Sequence, residues 1–85
     1  MAEIVAGIDI GGTNSVIGLV SKKGECIIES TISTRNHKSF DAFIEVLSLK
    51  IKELHNQIGE ENYTIKGIGI GAPNGSLNLG AIFDA

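Results

Sequence analysis

Apolar and polar positions alternate from the start of the chain. In residues 4–10, Ile4, Ala6, Ile8 and Ile10 fall on one face and Val5, Gly7 and Asp9 on the other. A period of two is the signature of a β-strand. Residues 15–21 predict a second strand and residues 26–34, rich in Ile, Thr and Ser, a third. Between these two, Lys22-Lys23-Gly24-Glu25 forms a polar turn with Gly24 as its permissive residue. Links this short between consecutive strands imply an antiparallel meander.

After the break at Arg35-Asn36-His37-Lys38 the period changes. Phe40, Phe43, Ile44, Leu47, Ile51, Leu54 and Ile58 recur at three- and four-residue steps, the apolar stripe of an amphipathic helix packed into the core. Ser39 is placed to cap its N-terminus, Asp41 suits the first turn and Gly59 the C-terminal cap. Residues 65–71 predict a fourth strand in which Gly67, Gly69 and Gly71 alternate with Ile68 and Ile70. Glycines there suggest the close approach of another backbone, a packed element or a ligand. A strand, a crossover helix and a further strand make a right-handed βαβ unit with parallel strands. The expected fold is therefore α/β, a mixed sheet of three antiparallel strands plus a parallel fourth, with the helix on one face. Residues 72–85, containing Pro73, Asn74, Gly75 and Gly80, read as a loop.

One helix covers one face of a sheet, yet Val5, Val16 and Val20 place apolar residues on the other. The expectation is that the chain is the first piece of something longer. An unpaired edge on the fourth strand would then favour self-association as a homo-oligomer.

At 85 residues and 42% hydrophobic content the chain is one small domain at most, and disorder is not its default. The net charge of -3, with no run of Lys or Arg, argues against nucleic acid as the main partner. Cys26 is the only cysteine, so no intrachain disulfide forms, which suits a reducing compartment. No secretory signal or membrane-length apolar run is present, so a cytoplasmic location away from membranes is expected, and the sequons at Asn62 and Asn74 are coincidences.

The stretch Gly7 to Val20, GIDIGGTNSVIGLV, carries the chemistry. Gly11 and Gly12 can take positive φ and admit a ligand to the main chain, and successive N–H groups in such a turn can form an anion-binding nest. Thr13 and Asn14 add a hydroxyl and an amide donor. Asp9, beside them, would repel a phosphate unless a divalent cation lay between, and Mg²⁺ is held this way by one or two carboxylates plus phosphates. The alternative is a tight hairpin with a solvated Asp. The P-loop pattern is absent, and Gly69-x-Gly71-x-x-Asn74 fails the dinucleotide fingerprint at its last position.

Asp9-Ile10-Gly11-Gly12-Thr13-Asn14, after a strand near the N-terminus, resembles the first phosphate motif of the ROK family of sugar kinases. That family belongs to the actin/hexokinase-like ATPases, built on a ribonuclease H-like fold. Gly69-Ile70-Gly71-Ala72-Pro73 resembles its glycine–proline loop beside the sugar pocket. The resemblance covers essentially the whole chain and implies the N-terminal part (residues 1–85) of a small ATPase-like domain in a longer cytoplasmic kinase of the glucokinase type. Such an enzyme moves the γ-phosphoryl of ATP to a hydroxyl of a sugar such as glucose. By that resemblance Asp9 places Mg²⁺, and Gly11, Gly12, Thr13 and Asn14 contact ATP phosphates. Pro73, Asn74 and Gly75 shape the sugar end. Where many relatives read Pro-Gly-Pro-Val-Asp, this chain has Pro73-Asn74-Gly75-Ser76-Leu77, a departure that bears on the choice of sugar. The family's catalytic Asp in an Asn-Asp pair and its His/Cys zinc cluster do not occur here, so the chain alone is expected to lack kinase activity and holds no catalytic residue.

Three other readings compete. A regulator of the same family would carry a helix-turn-helix before the first strand. A ribonuclease H-like nuclease would use an acid on the first strand for metal, but leaves the glycine hairpin unexplained. The last is a non-catalytic interaction module. His37, His55 and Cys26 read as ordinary packed or solvated side chains.

Overall fold

The computed structural model describes residues 2–71 and 82–84. Its elements run β1 (Ala2–Ile10), β2 (Asn14–Ser21), β3 (Cys26–Ser33), α1 (Phe40–Ile58), β4 (Tyr63–Gly71) and β5 (Ile82–Asp84). All five strands join one sheet in the order β3-β2-β1-β4-β5. The meander β1-β2-β3 pairs antiparallel, and the crossover through α1 returns β4 parallel to β1. This is the mixed sheet that the periodicities predict.

The core follows from the alternation. Ile4, Ala6 and Ile8 of β1 are buried together with Ile17 and Leu19 of β2. The register sets Ala6 beside Leu19 and Ile68, and Ile8 beside Ile17 and Ile70. Onto this face α1 lays Phe43, Leu47 and Leu54, with Ile51 and Ile58 at the margin. Each fully buried aliphatic side chain contributes about 1.5–3 kcal/mol relative to exposure.

Both helix ends form as their residue types require. The Ser39 hydroxyl accepts the Ala42 N–H at 3.1 Å, and Gly59, at φ 104°, donates its N–H to the carbonyls of His55 and Asn56. The two histidines are structural ties. His37 Nε2 donates to the Ser33 carbonyl at 2.7 Å while its ring lies against Phe43, 5.2 Å between centroids. His55 Nε2 donates to the Tyr63 carbonyl at 2.7 Å and so joins the end of α1 to the start of β4. A carbonyl oxygen only accepts, so in both rings Nε2 carries the proton.

Two expectations need correction. The predicted apolar stripe is not core throughout. Phe40 is 71% exposed and Ile44 37% exposed, because they border a stripe whose centre, Phe43 and Leu47, faces the sheet. The predicted terminal loop also gives way at residues 82–84, where β5 pairs antiparallel with β4 at Gly67, Gly69 and the Ile68 between them. The free N–H and C=O groups along that edge offer a ladder to any short extended segment, and three residues are too few to show a period. The β4 edge is therefore partly covered, which removes part of the basis for self-association.

The face away from α1 mixes glycines with a few side chains. Across it, Glu29, Gly18, Gly7 and Gly69 form one row, and Thr31, Val16, Asp9 and Gly71 form the next. The glycines of β4 thus point away from the helix, whereas Ile68 and Ile70 pack against the core.

Candidate phosphate site at the first hairpin

The hairpin between β1 and β2 is closed by the pair Ile10 and Ser15. Beyond it the Gly11 N–H donates to the Asn14 carbonyl at 3.0 Å. A Cβ on Gly11 would lie 2.6 Å from that same oxygen, closer than real Cβ contacts come, whereas one on Gly12 would meet nothing within 4 Å. Neither residue adopts positive φ, which among the described glycines occurs at Gly24 and Gly59. The expectation that left-handed glycines shape this turn is therefore replaced. Gly11 is needed because the chain folds onto itself too closely for a side chain.

The tip is braced from β3. One step past the pair Asn14 and Ser33, the Thr34 N–H donates to the Thr13 carbonyl at 2.9 Å. One step further, Arg35 Nε donates to the Gly12 carbonyl at 3.2 Å. Beneath them the fully buried Ser15 shares a 2.6 Å hydroxyl–hydroxyl bond with Thr34. Among the described residues the N–H groups of Gly12 and Thr13 have no protein acceptor, and the exposed Thr13 and Asn14 side chains have no hydrogen-bond partner. The tip thus presents main-chain and side-chain donors to solvent.

Asp9 lies on the open face, exposed, and forms no ion pair among the described residues. The parallel register places it beside Gly71, so the C-terminal ends of β1 and β4 emerge side by side. Open α/β sheets bind ligands at this end of their parallel strands. Pro73, Asn74 and Gly75, the expected sugar end, lie outside the described residues. Asp9 also lines a shallow concavity of about 250 Å³ with Gly7, Val16, Gly18, Cys26 and Glu29.

These groups suit a magnesium-bound phosphate. Among the described residues no three His, Cys, Asp or Glu side chains gather into a protein cage for a metal. One free carboxylate beside a row of donors is instead what Mg²⁺ uses when phosphates and water complete its shell.

A larger concavity, about 480 Å³, lies at the opposite end of the sheet around Glu3, Ser21, Lys22 and Glu25. Two of its charges, Glu3 and Lys22, are already paired with each other. Glu3 pairs with Lys22 at 2.8 Å and with Lys66 at 3.8 Å, and the Lys22 contact holds its carboxyl below the ordinary range. The exposed Cys26 thiol ionises less readily than an ordinary cysteine, since desolvation, and then the Glu29 carboxylate, raises it above the ordinary value.

Sequence reasoning passed over Ser15, Thr34 and Arg35. Extending the β2–β3 register past its last pair leads straight to Thr34 and Arg35, so the signal lay in the length of the Lys22–Glu25 turn.

No family model matches the sequence, and no curated protein matches it. Solved structures do. A protein from Cytophaga hutchinsonii assigned as a sugar kinase is 32% identical, with a TM-score of 0.59 over 80% of this chain and 21% of its own. A protein from Listeria monocytogenes assigned as an N-acetylmannosamine kinase is 26% identical, with a TM-score of 0.53 over 82% of this chain and 21% of its own. A ROK family glucokinase from Streptomyces griseus, solved with glucose and AMPPNP, is 22% identical, with a TM-score of 0.62 over 81% of this chain and 20% of its own. The chain spans about a fifth of the length of each.

Proposed function

We propose that this chain, which has the fold of the N-terminal half-domain of ROK sugar kinases, is the N-terminal part of the small ATPase-like domain of a glucokinase-type enzyme. The observation that carries the reading is the juxtaposition at one sheet end. The Asp-x-Gly-Gly-Thr-Asn hairpin opens its donors beside β4, whose last residue leads into Pro73-Asn74-Gly75.

In this reading Gly11, Gly12, Thr13 and Asn14 bind the phosphates of ATP, and Asp9 holds Mg²⁺ through its water shell. Mg²⁺ supplies charge neutralisation for phosphoryl transfer when bound. Pro73, Asn74 and Gly75 border a hexose, glucose by analogy with the Streptomyces griseus relative. Transfer moves the γ-phosphoryl of ATP to a sugar hydroxyl and releases ADP, and the hydroxyl's proton needs a base. The Asn-Asp pair that supplies it in this family is not in the sequence, so the chain binds and orients but does not catalyse. The complete enzyme would act in cytoplasmic carbohydrate metabolism at the entry to glycolysis, as a homo-oligomer, with a zinc cluster in its later part.

The test is an amide-resolved NMR titration of the chain with Mg·ATP. Shifts concentrated at residues 11–14, weakened at least threefold by Asp9→Asn and dependent on Mg²⁺, are expected. Shifts elsewhere, or none, would overturn the reading. A coupled assay should find no glucose-dependent ATP consumption by the chain.

A further inference from the structure

We infer that Arg35 is a positioning residue for the phosphate loop: it holds the Gly12–Thr13 peptide so that the Thr13 N–H faces the bound anion. The inference rests on the phosphate reading above and extends it to a residue outside the glycine motif.

The argument begins with the peptide unit. It is planar and trans, so its carbonyl and its N–H point in opposite directions. Arg35 Nε holds the Gly12 carbonyl from the β3 side. The Thr13 N–H is therefore turned away from β3. It has no protein acceptor among the described residues.

Among the described residues no other hydrogen bond reaches the Gly12 carbonyl or the Thr13 N–H. Gly12 is exposed, and a Cβ placed there would meet nothing within 4 Å. A glycine in open space has two soft torsions and no side chain to restrain them. If the plane rotated, the carbonyl dipole would face the phosphate and repel it. The Arg35 bond opposes that rotation, and the Thr34 bond to the next carbonyl fixes the following plane. The planar guanidinium retains further donors beyond Nε, so holding the carbonyl does not exhaust it.

The chain is titrated with Mg·ATP as wild type and as Arg35→Met, Arg35→Lys and Lys23→Gln. Methionine keeps an apolar stem and removes every donor, whereas a lysine ammonium still donates. Lys23 lies in the turn at the far end of the sheet and controls for net charge. Arg35→Met should weaken binding about tenfold and abolish the Thr13 amide response, with the Gly7 and Gly18 resonances unmoved. Arg35→Lys should restore binding to within about threefold of wild type, and Lys23→Gln should bind as wild type does.

If wild-type residues 11–14 respond to Mg·ATP but Arg35→Met binds within twofold of wild type with its Thr13 response intact, the Arg35 assignment is wrong and the phosphate site stands. If wild type itself gives no response at residues 11–14, both are wrong. Failure of Arg35→Lys to restore the Thr13 response, in a variant whose other amides are unmoved, would also overturn the assignment.

Discussion

Single atoms decide what each position in the hairpin tolerates. A methyl group on Gly11 would collide with the Asn14 carbonyl, a backbone atom with no freedom to yield, whereas one on Gly12 points into open space. Gly11→Ala should cost about 1–3 kcal/mol in urea unfolding, and Gly12→Ala should stay within about 0.5 kcal/mol. Equal costs would refute the close-approach account. Ser15→Ala leaves the Thr34 hydroxyl without its partner and should lower stability by about 1 kcal/mol. The Cys26 thiol, raised by desolvation and then by Glu29, keeps its proton more firmly when folded. It should alkylate with iodoacetamide more slowly at pH 8 than the unfolded chain does. The part of stability linked to this thiol is present below its ordinary value of 9.0 and is lost as pH rises through the folded value.

At the scale of elements, the helix and the first four strands were legible because their periods are clean. Burial of Ile4, Ala6 and Ile8 repeats a spacing visible in the sequence, and Ser39 and Gly59 cap α1 as their chemistry requires. Ser39→Ala should cost about 1 kcal/mol, and Leu47→Ala, at the centre of the helix contact, about 2–5 kcal/mol in thermal or urea unfolding. What escaped the sequence reading was set by pairing between elements. Phe40 and Ile44 share the stripe's period but not its burial, since burial depends on where the helix rests on the sheet. β5 exists because β4 has an edge to offer, which no local pattern in residues 82–84 expresses. Arg35 lies in what reads as a linker, and its contact with Gly12 spans 23 positions.

At the scale of the molecule, the two ends of the sheet serve different physics. The end carrying Glu3, Lys22 and Lys66 is a solvated ion cluster. Its Lys22 contact lowers the folded value of Glu3 below 4.5, so its contribution is present above that pH and fades as pH falls through the folded value. A stability difference between Glu3→Gln and wild type at pH 7 should fade as pH falls below 4.5 and shrink in high salt. The other end gathers Asp9, the hairpin tip and the exit of β4; both motifs were readable in the sequence, but not the register that sets Asp9 beside Gly71. That Asp9 stands free on the open face follows from the position of β1 inside the sheet, held by β2 on one side and β4 on the other. Sliding β1 by a single residue would turn Ile4, Ala6 and Ile8 out to water and thrust Asp9 beneath α1. Misplacing the acid would thus expose three core side chains and bury a charge, so the hydrophobic layer under the helix acts as a proofreader for a carboxylate it never touches.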